Sequence, residues 1–333
     1  MFYNTDLEEL IFTQHSDIDS DELIIISGYL GPSPIERLTT LDLPATVVYG
    51  MYPSDGIGER LHTTLNSIHN RNESVDILYS SFQVHAKCYI WKKEGEIIHA
   101  LIGSANFSSN GLRTPFREVL TIANEHTYES LNEYAEMIIN RANICTSVDL
   151  TNRNQGRRNN RAILQDTTYC RMTLLIPNTG QVHEASGINW GQNPNNHTNP
   201  RDASIPIRTT HIREFPTLFP PKLESPTNVI GGREQRENDA IDIVWDDGTT
   251  MEGLLEGSQP VDGIKHPKQI CSFPNKFIMG DYLRSRMGIA SGEFVSTEDL
   301  VNYGRTHIDV SIIGEGVYYL DFSVPIQNVD III

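Results

Sequence analysis

The order of apolar and polar residues over the first 150 positions predicts alternating strands and helices. Apolar runs rich in β-branched residues predict buried strands, and apolar residues at helical spacing predict helices with one buried face. The predicted strands are 23–30, 45–52 and 75–81, and the predicted helices are 34–41 and 57–69. Alternation with short connections favours a parallel or mixed α/β sheet.

A hairpin is predicted in the middle of this sheet. Residues 84–91 alternate between apolar and polar, 92–95 predict a turn, and 96–102 return as the second strand. A further strand is predicted over 116–123, and an amphipathic helix over 128–141 closes the domain.

From Cys170 onward the pattern predicts an all-β domain. Loops rich in Gly, Pro and Asn separate short apolar runs, and a short helix is predicted near 277–286. The predicted strands are 172–176, 205–207, 240–245 and 317–322. Such a sequence predicts a barrel or pseudobarrel of about seven strands.

These patterns predict a first domain over 1–150, a linker over 151–170 and a second domain over 171–333. The linker region is polar and lacks periodicity. It carries Arg153, Arg157, Arg158 and Arg161. We interpret it as an inter-domain linker or exposed arm, with a DNA-contacting loop as the alternative.

Composition limits the class of protein. A hydrophobic fraction of 38% and a charged fraction of 21% are typical of a soluble globular protein. No apolar run is long enough to span a bilayer, and the N-terminus lacks the pattern of a signal peptide. Four scattered cysteines without a CxxC pair favour reduced thiols, a cytoplasmic location and no zinc cluster.

The formal net charge of −17 argues against a generic nucleic-acid binder, which is usually basic. A local basic surface is nevertheless enough for binding. We therefore expect only weak attachment to DNA that lacks a preferred sequence, because the overall attraction to phosphates is small.

Candidate chemistry is concentrated between residues 84 and 118. His85 and Lys87 are two residues apart on a predicted strand, so both side chains point to one face. Lys87 offers positive charge to a phosphate group there, and His85 offers a nitrogen that can attack phosphorus.

Three more polar residues follow. Ser104 and Asn106, in a Gly-Ser-Ala-Asn turn, can donate hydrogen bonds to phosphate oxygens. Glu118, in the next strand-like run, would fix the tautomer of His85 and stabilise its imidazolium. The alternative is a set of ordinary polar residues on a half-exposed hairpin. The ordered recurrence of the pattern favours a phosphodiester-cleaving site.

These motifs resemble those of the phospholipase D superfamily, in its nuclease branch. That pattern is HxKxxxxD with a later GSxN. Here Lys92 stands in place of the Asp, and Glu118 matches the glutamate that relatives without that Asp use. More closely, the chain resembles the NgoFVII-type restriction endonucleases, with support from the segment 193–222. The resemblance implies an α/β phospholipase D-like N-terminal domain and an all-β B3-like pseudobarrel C-terminal domain.

The resemblance also implies roles for the candidate residues. His85 would be the nucleophile that forms a phosphohistidine, and Glu118 would orient it. The phosphate would be held by Lys87, Ser104 and Asn106. No metal and no cofactor is expected, because lysine and amide donors replace a metal ion.

The chemistry sets the expected stoichiometry. A second histidine must protonate the departing oxygen, yet the chain holds one HxK pair. Neither His99 nor His126 has a lysine at this spacing. We therefore expect a homodimer in which His85 and Lys87 of both subunits meet across a two-fold axis.

A B3-type pseudobarrel is expected to hold the DNA major groove with two arms, one over 189–208 and one over 275–286. Asn pairs with adenine and Arg with guanine in that groove. The candidate residues are Asn193, Asn195, Asn196, Arg201, Arg208, Lys276, Arg284 and Arg286. The alternative is an Asn- and Pro-rich turn with a solvated helix, and Trp190 and Trp245 are interpreted as packing residues.

The expected function is that of a sequence-specific, metal-independent restriction endonuclease acting on double-stranded DNA. Two alternatives stay open. One is a DNA-recognition or nuclease subunit of a system with a helicase-like ATPase, and the other is a phospholipase D-type phosphatidyltransferase. The lack of a membrane anchor and of a second HxK weighs against the phosphatidyltransferase.

Overall fold

The computed structural model describes residues 1–150, 168–193, 198–222, 229–230, 233–234 and 238–324. Contacts within the chain divide it into two compact units. The first unit contains the described part of Met1–Thr168 together with Ala240–Val244 and Ile312–Tyr318, and the second contains the rest. The four arginines of the predicted linker lie outside the described residues.

A mixed sheet of eight strands lies at the centre of the first unit. Its strands are β1 Phe2–Tyr3, β2 Glu22–Ser27, β3 Ala45–Tyr49, β4 Val75–Tyr79, β5 Lys87–Lys93, β6 Glu96–Gly103, β7 Leu120–Ile122 and β8 Asn143–Ile144. The order is β1-β7-β6-β5-β2-β3-β4-β8. Strands β2, β3 and β4 run parallel, and the other neighbours are antiparallel. The predicted mixed α/β sheet is confirmed.

Helices cover this sheet. They are α1 Leu7–Phe12, α2 Pro32–Arg37, α3 Tyr52–Asp55, α4 Glu59–Arg71, α5 Ser109–Arg113 and α6 Tyr128–Ile139. Strand β2 is buried on both faces over 23–26, which explains its unbroken apolar run. Ala135 and Ile138 of α6 belong to the same core cluster as Ile24 and Ile26.

Two element boundaries differ from the prediction and affect the site. Strand β5 begins at Lys87, so His85 lies in the segment before it, where the Val84 N–H donates to the Gly50 carbonyl at 3.0 Å. Residues 116–119 do not form a strand. Phe116 has a φ of 62°, in the left-handed region, and the chain turns there before β7. The predicted strand over 116–123 is therefore wrong for its first half.

The C-terminal part contains a seven-stranded sheet of order β10-β17-β14-β13-β19-β18-β9, the number of strands predicted. Its strands are β9 Cys170–Thr173, β10 Ile205–Pro206, β13 Asp239–Trp245, β14 Thr250–Glu256, β17 Gln269–Ser272, β18 His307–Gly314 and β19 Val317–Asp321. Two-stranded ribbons pair β11 Val229–Ile230 with β12 Arg233–Glu234, and β15 Gln259–Val261 with β16 Ile264–His266. The helices are α7 Thr209–Glu214, α8 Phe277–Met287 and α9 Thr297–Tyr303.

Candidate active site

His85 and Lys87 lie together where β5 begins beside the end of β2. The Lys87 ammonium is 3.1 Å from His85 Nδ1 and 3.2 Å from Nε2, and it donates to the His85 carbonyl at 2.8 Å. Lys87 is only 4% exposed, whereas His85 is exposed. The pair therefore presents a positive charge and an accessible imidazole at one place.

Gly28 forms the floor of this site. It directly follows β2, and a Cβ atom there would lie 3.1 Å from His85 Cδ2, 3.2 Å from Lys87 Nζ and 3.2 Å from Asn106 Oδ1. Three candidate residues thus meet at one glycine. Sequence reasoning missed Gly28, because a single glycine after a strand carries no motif.

The turn at 103–106 is tied to strands β2 and β5. The Tyr89 hydroxyl donates to the Ala105 carbonyl at 2.8 Å, and the Phe107 N–H donates to Ser27 Oγ at 2.9 Å. These buried contacts hold Asn106 near Lys87, since both side chains meet at Gly28.

Ser104 is held by the segment that leads into β7. Its Oγ accepts the Val119 N–H at 3.1 Å, and its own N–H donates to the Val119 carbonyl at 3.0 Å. Gly103 permits this approach, because a Cβ there would lie 2.0 Å from the Val119 carbonyl oxygen. The Ser104 hydroxyl proton remains available for a phosphate oxygen.

The Asn106 amide has a defined orientation. Its Oδ1 accepts the Tyr29 N–H at 3.2 Å, and its Nδ2 donates to Glu315 Oε2 at 3.4 Å. An amide NH₂ group has two protons, so one N–H of Asn106 is left for a phosphate oxygen.

Two carboxylates influence Lys87. Burial lowers the pKa of the Lys87 ammonium, while Glu315 and then Glu118 act in the opposite direction. Glu118 lies just before β7, and within the described residues no hydrogen bond joins it to His85. Glu315, in the turn between β18 and β19, was missed by sequence reasoning because it lies far from the motif along the chain.

Lys92, at the position where the longer motif has an acid, has a structural contact. It is 3% exposed, and its ammonium pairs with Glu136 of α6 at 2.7 Å. The residue therefore joins β5 to α6 and faces away from the phosphate-binding groups, since side chains alternate along a strand.

The predicted cations of the first DNA arm are engaged within the second unit. Arg201 pairs with Asp281, and Arg208 donates to the Leu175 carbonyl at 2.7 Å. Asn193 is half-buried. Asn195 and Asn196 lie outside the described residues.

The predicted second arm forms helix α8 and the residues before it. Lys276 pairs with Glu256 at 2.5 Å, and Arg286 pairs with Asp246 at 2.8 Å. Arg284 is fully buried, and its guanidinium donates at 2.8–3.4 Å to the carbonyls of Ile188, Pro200, Arg201, Gly280 and Glu293. Contrary to the prediction, Arg284 is not available to DNA. It ties the 188–201 segment to α8.

Two lysines that sequence reasoning missed are exposed in the second unit. Lys265 lies in β16, and Lys268 lies just before β17. Among the described Lys and Arg side chains of this unit, these two have no acidic or carbonyl partner. Both belong to the loop 257–268, which carries the β15–β16 ribbon between β14 and β17.

Two family models match the chain, one over each half. Residues 5–152 match the NgoFVII restriction endonuclease N-terminal PLD domain, and residues 162–314 match the NgoFVII C-terminal B3-like DNA-binding domain. The chain belongs to the NgoFVII restriction endonuclease family. The expected phospholipase D-like and B3-like domains are confirmed, and this NgoFVII-family protein is a DNA-hydrolysing enzyme.

Solved structures similar to this NgoFVII-family chain include NucT from Helicobacter pylori, at 14% identity and a TM-score of 0.31, covering 43% of this chain and 98% of that chain. The phospholipase D family member Nuc from Salmonella typhimurium has 14% identity and a TM-score of 0.31, covering 41% and 89%. Polyphosphate kinase from Porphyromonas gingivalis has 9% identity and a TM-score of 0.32, covering 43% and 23%. The family assignment rests on the two family models alone. The comparison with curated proteins finds no match.

None of the helices in the described part of the chain is long and apolar enough to cross a membrane. In the same part, no group of three or more His, Cys, Asp or Glu side chains is arranged to hold a metal ion. All four cysteines are buried free thiols.

Proposed function

We propose that the protein is a sequence-specific, metal-independent endonuclease that cleaves DNA through a phosphohistidine at His85. The observation that carries the proposal is the meeting of His85, Lys87 and Asn106 around Gly28. A nucleophilic nitrogen, a cation and an amide donor then lie within reach of one phosphate group. Lysine and amide donors supply the charge stabilisation that a metal ion provides in other nucleases.

The proposed reaction has two displacement steps. A nitrogen of neutral His85 attacks phosphorus, so that an N–P bond forms and the P–O bond to the leaving oxygen breaks. The leaving oxygen takes its proton from a second histidine. Water then attacks phosphorus with that second histidine as the base, the N–P bond breaks, and a phosphate monoester leaves with His85 restored.

The second histidine is proposed to be His85 of the partner subunit in a homodimer. Neither alternative in the same chain suits the role. His99 packs on Trp91 with ring centroids 5.3 Å apart, and burial lowers its pKa. His126 lies on the surface in the turn before α6. If the site is shared, the activity per subunit should fall when the protein is diluted below the dissociation constant of the dimer. A monomer with full activity would contradict the shared site.

DNA binding is assigned to two segments of the second unit. We propose that the loop 257–268 contacts the DNA backbone in place of the second arm at 275–286, because Lys265 and Lys268 are exposed and uncommitted. Phosphate contacts of this kind position a protein but do not read sequence. Base contacts are proposed to come from the 189–208 arm, where the amides of Asn193, Asn195 and Asn196 suit adenine.

Cleavage by the purified full-length protein, in EDTA and without ATP, tests the proposal. Genomic DNA is expected to yield discrete fragments, and radiolabelled DNA is expected to leave an acid-labile adduct on the protein. Both signals should be absent in His85→Ala and present in the control His126→Ala. Cleavage only beside a helicase-like ATPase with ATP would instead assign the chain as a subunit of a larger system. Transphosphatidylation of phospholipids with uncut DNA would indicate a phosphatidyltransferase.

A further inference from the structure

The turn between β18 and β19 is closely packed beside the proposed catalytic residues of the first unit. A Cβ at Gly314 would lie 2.9 Å from Leu61 Cδ2. A Cβ at Gly316, whose φ is 69°, would lie 2.9 Å from Asn110 Cβ. The turn therefore packs closely on Leu61 and Asn110, and this packing holds Glu315 at a defined place.

Glu315 accepts a hydrogen bond from the amino group of the Asn106 amide. Asn106 is 9% exposed, its Oδ1 accepts the Tyr29 N–H, and one Nδ2 proton goes to Glu315 at 3.4 Å. The carbonyl and amino ends of the amide are thereby distinguished, because a flipped amide would place its oxygen against the carboxylate. The second N–H of the amide is not used by Glu315, so it can donate to a phosphate oxygen.

Glu315 also opposes the effect of burial on Lys87. An ammonium that is 4% exposed loses hydration, and this lowers its pKa. The carboxylate of Glu315 is the strongest opposing influence, ahead of Glu118. Among the described residues, the titratable groups near Lys87 include His85, Glu118 and Glu315. Tyr29, which is hydrogen-bonded to Asp55, lies edge-on to the His85 ring.

We propose that Glu315 is a positioning residue of the active site, which orients the Asn106 amide and keeps Lys87 charged for binding phosphate. This inference rests on the proposed function of His85, Lys87 and Asn106. In this role Glu315 acts through two groups that are proposed to hold the phosphate.

The first test does not depend on catalysis. Lys87 is titrated by NMR in the full-length protein with isotope-labelled lysine ε-carbons, and its signal is assigned with a Lys87→Arg variant. Glu315→Gln is expected to lower the Lys87 pKa further. In Glu315→Asp, which keeps the carboxylate, the Lys87 pKa is expected to lie nearer that of the wild type. Glu96→Gln, an exposed site in the same unit, serves as the control and should leave the titration unchanged.

The second test is the pH dependence of bis(p-nitrophenyl) phosphate hydrolysis, a small substrate that needs no DNA recognition. In Glu315→Gln the alkaline limb of kcat should move to lower pH, so that the rate above that limb falls relative to the wild type. KM should rise as well, because the misoriented amide binds phosphate less well.

Two outcomes would overturn the inference. One is that the Lys87 titration and the pH profile of Glu315→Gln both coincide with those of the wild type. The other is faster hydrolysis by Glu315→Ala, which would mean that the carboxylate competes with phosphate. A third outcome separates the two proposals. If Glu315→Gln lowers the Lys87 pKa but the wild-type protein hydrolyses no phosphodiester, the proposed function is overturned and the coupling of Glu315 to Lys87 is still supported.

Discussion

A methyl group at Gly28 is enough to disturb the proposed active site. In Gly28→Ala the new Cβ would lie 3.1–3.2 Å from atoms of His85, Lys87 and Asn106, so these groups must shift. The shift needed is smaller than the displacement of about 1 Å that can cost about 100-fold in rate, so we expect cleavage to fall by about tenfold or less while the chain still folds. Single-turnover cleavage and thermal unfolding measure the two effects separately.

Gly180→Ala is the matched control. Gly180 has a φ of 67°, and nothing lies within 4 Å of the added Cβ. The left-handed backbone makes the change unfavourable by about 1–2 kcal/mol, so stability should fall and the cleavage rate should not. Full activity in Gly28→Ala would contradict the crowding argument.

His211 gives the second unit a defined response to acid. Burial, with Arg208 nearby, lowers the pKa of His211 to about 4. As the pH falls, His211 is therefore protonated in the unfolded chain before it is protonated in the folded protein. The contribution of neutral His211 to the free energy of unfolding is complete above about pH 6.5 and is lost as the pH falls toward 4. The loss is on the order of 3 kcal/mol. Denaturant unfolding over this range gives the free energy of unfolding at each pH for the wild type and for His211→Gln. This free energy should depend less steeply on pH in the variant, and an equal pH dependence in both proteins would contradict the assignment.

Some site residues could be predicted from sequence and others could not. His85, Lys87, Ser104 and Asn106 follow a two-residue spacing near strand ends, which is a local property of the chain. Gly28 and Glu315 reach the same place only through the pairing of distant segments, and neither carries a motif of its own. The predicted role of Glu118 toward His85 depended on a strand that does not begin until Leu120.

At the scale of elements, Lys92 joins strand β5 to helix α6 through its ion pair with Glu136. Lys92→Asp, which restores the acid of the longer motif, would bury a carboxylate facing Glu136. We expect the free energy of unfolding to fall by roughly 3–5 kcal/mol, without a gain in cleavage. Lys92→Met keeps a side chain of similar volume without the charge, and it should lower the free energy of unfolding by less than about 2 kcal/mol. Chemical denaturation measures both, and a stable, faster Lys92→Asp enzyme would contradict this account.

The elements that could be predicted are those with a strong apolar pattern. Strands β2 to β4, the β5–β6 hairpin and helix α6 lie close to their predicted places because burial dictates their sequence. The strand expected at 116–119 is absent because Phe116 adopts a left-handed conformation, which no apolar pattern reveals. Helices α7 and α9 have only six and seven residues, too few for a periodic signal.

At the scale of the whole molecule, the net charge of −17 and the internal pairing of cations both weaken the attraction to DNA phosphates. Arg201, Lys276 and Arg286 are each held by a carboxylate of the second unit. Among the described side chains of the second unit, few positive charges are therefore left to release counterions from DNA. We therefore expect affinity to come mainly from base contacts and its dependence on salt to be shallow for a DNA-binding protein.

Neutralising the two uncommitted lysines tests this view of DNA binding. For Lys265→Gln with Lys268→Gln, the slope of log Kd against log salt should decrease by about 1.8, or about 0.9 for each phosphate that is no longer neutralised. Binding should weaken alike on preferred and random duplexes, because phosphate contacts carry no sequence information. Lys93→Gln, in the first unit, removes the same kind of charge and should leave the slope unchanged. An unchanged slope in the double variant would remove the loop 257–268 from the DNA interface, whereas an altered sequence preference would show that the lysines contact bases.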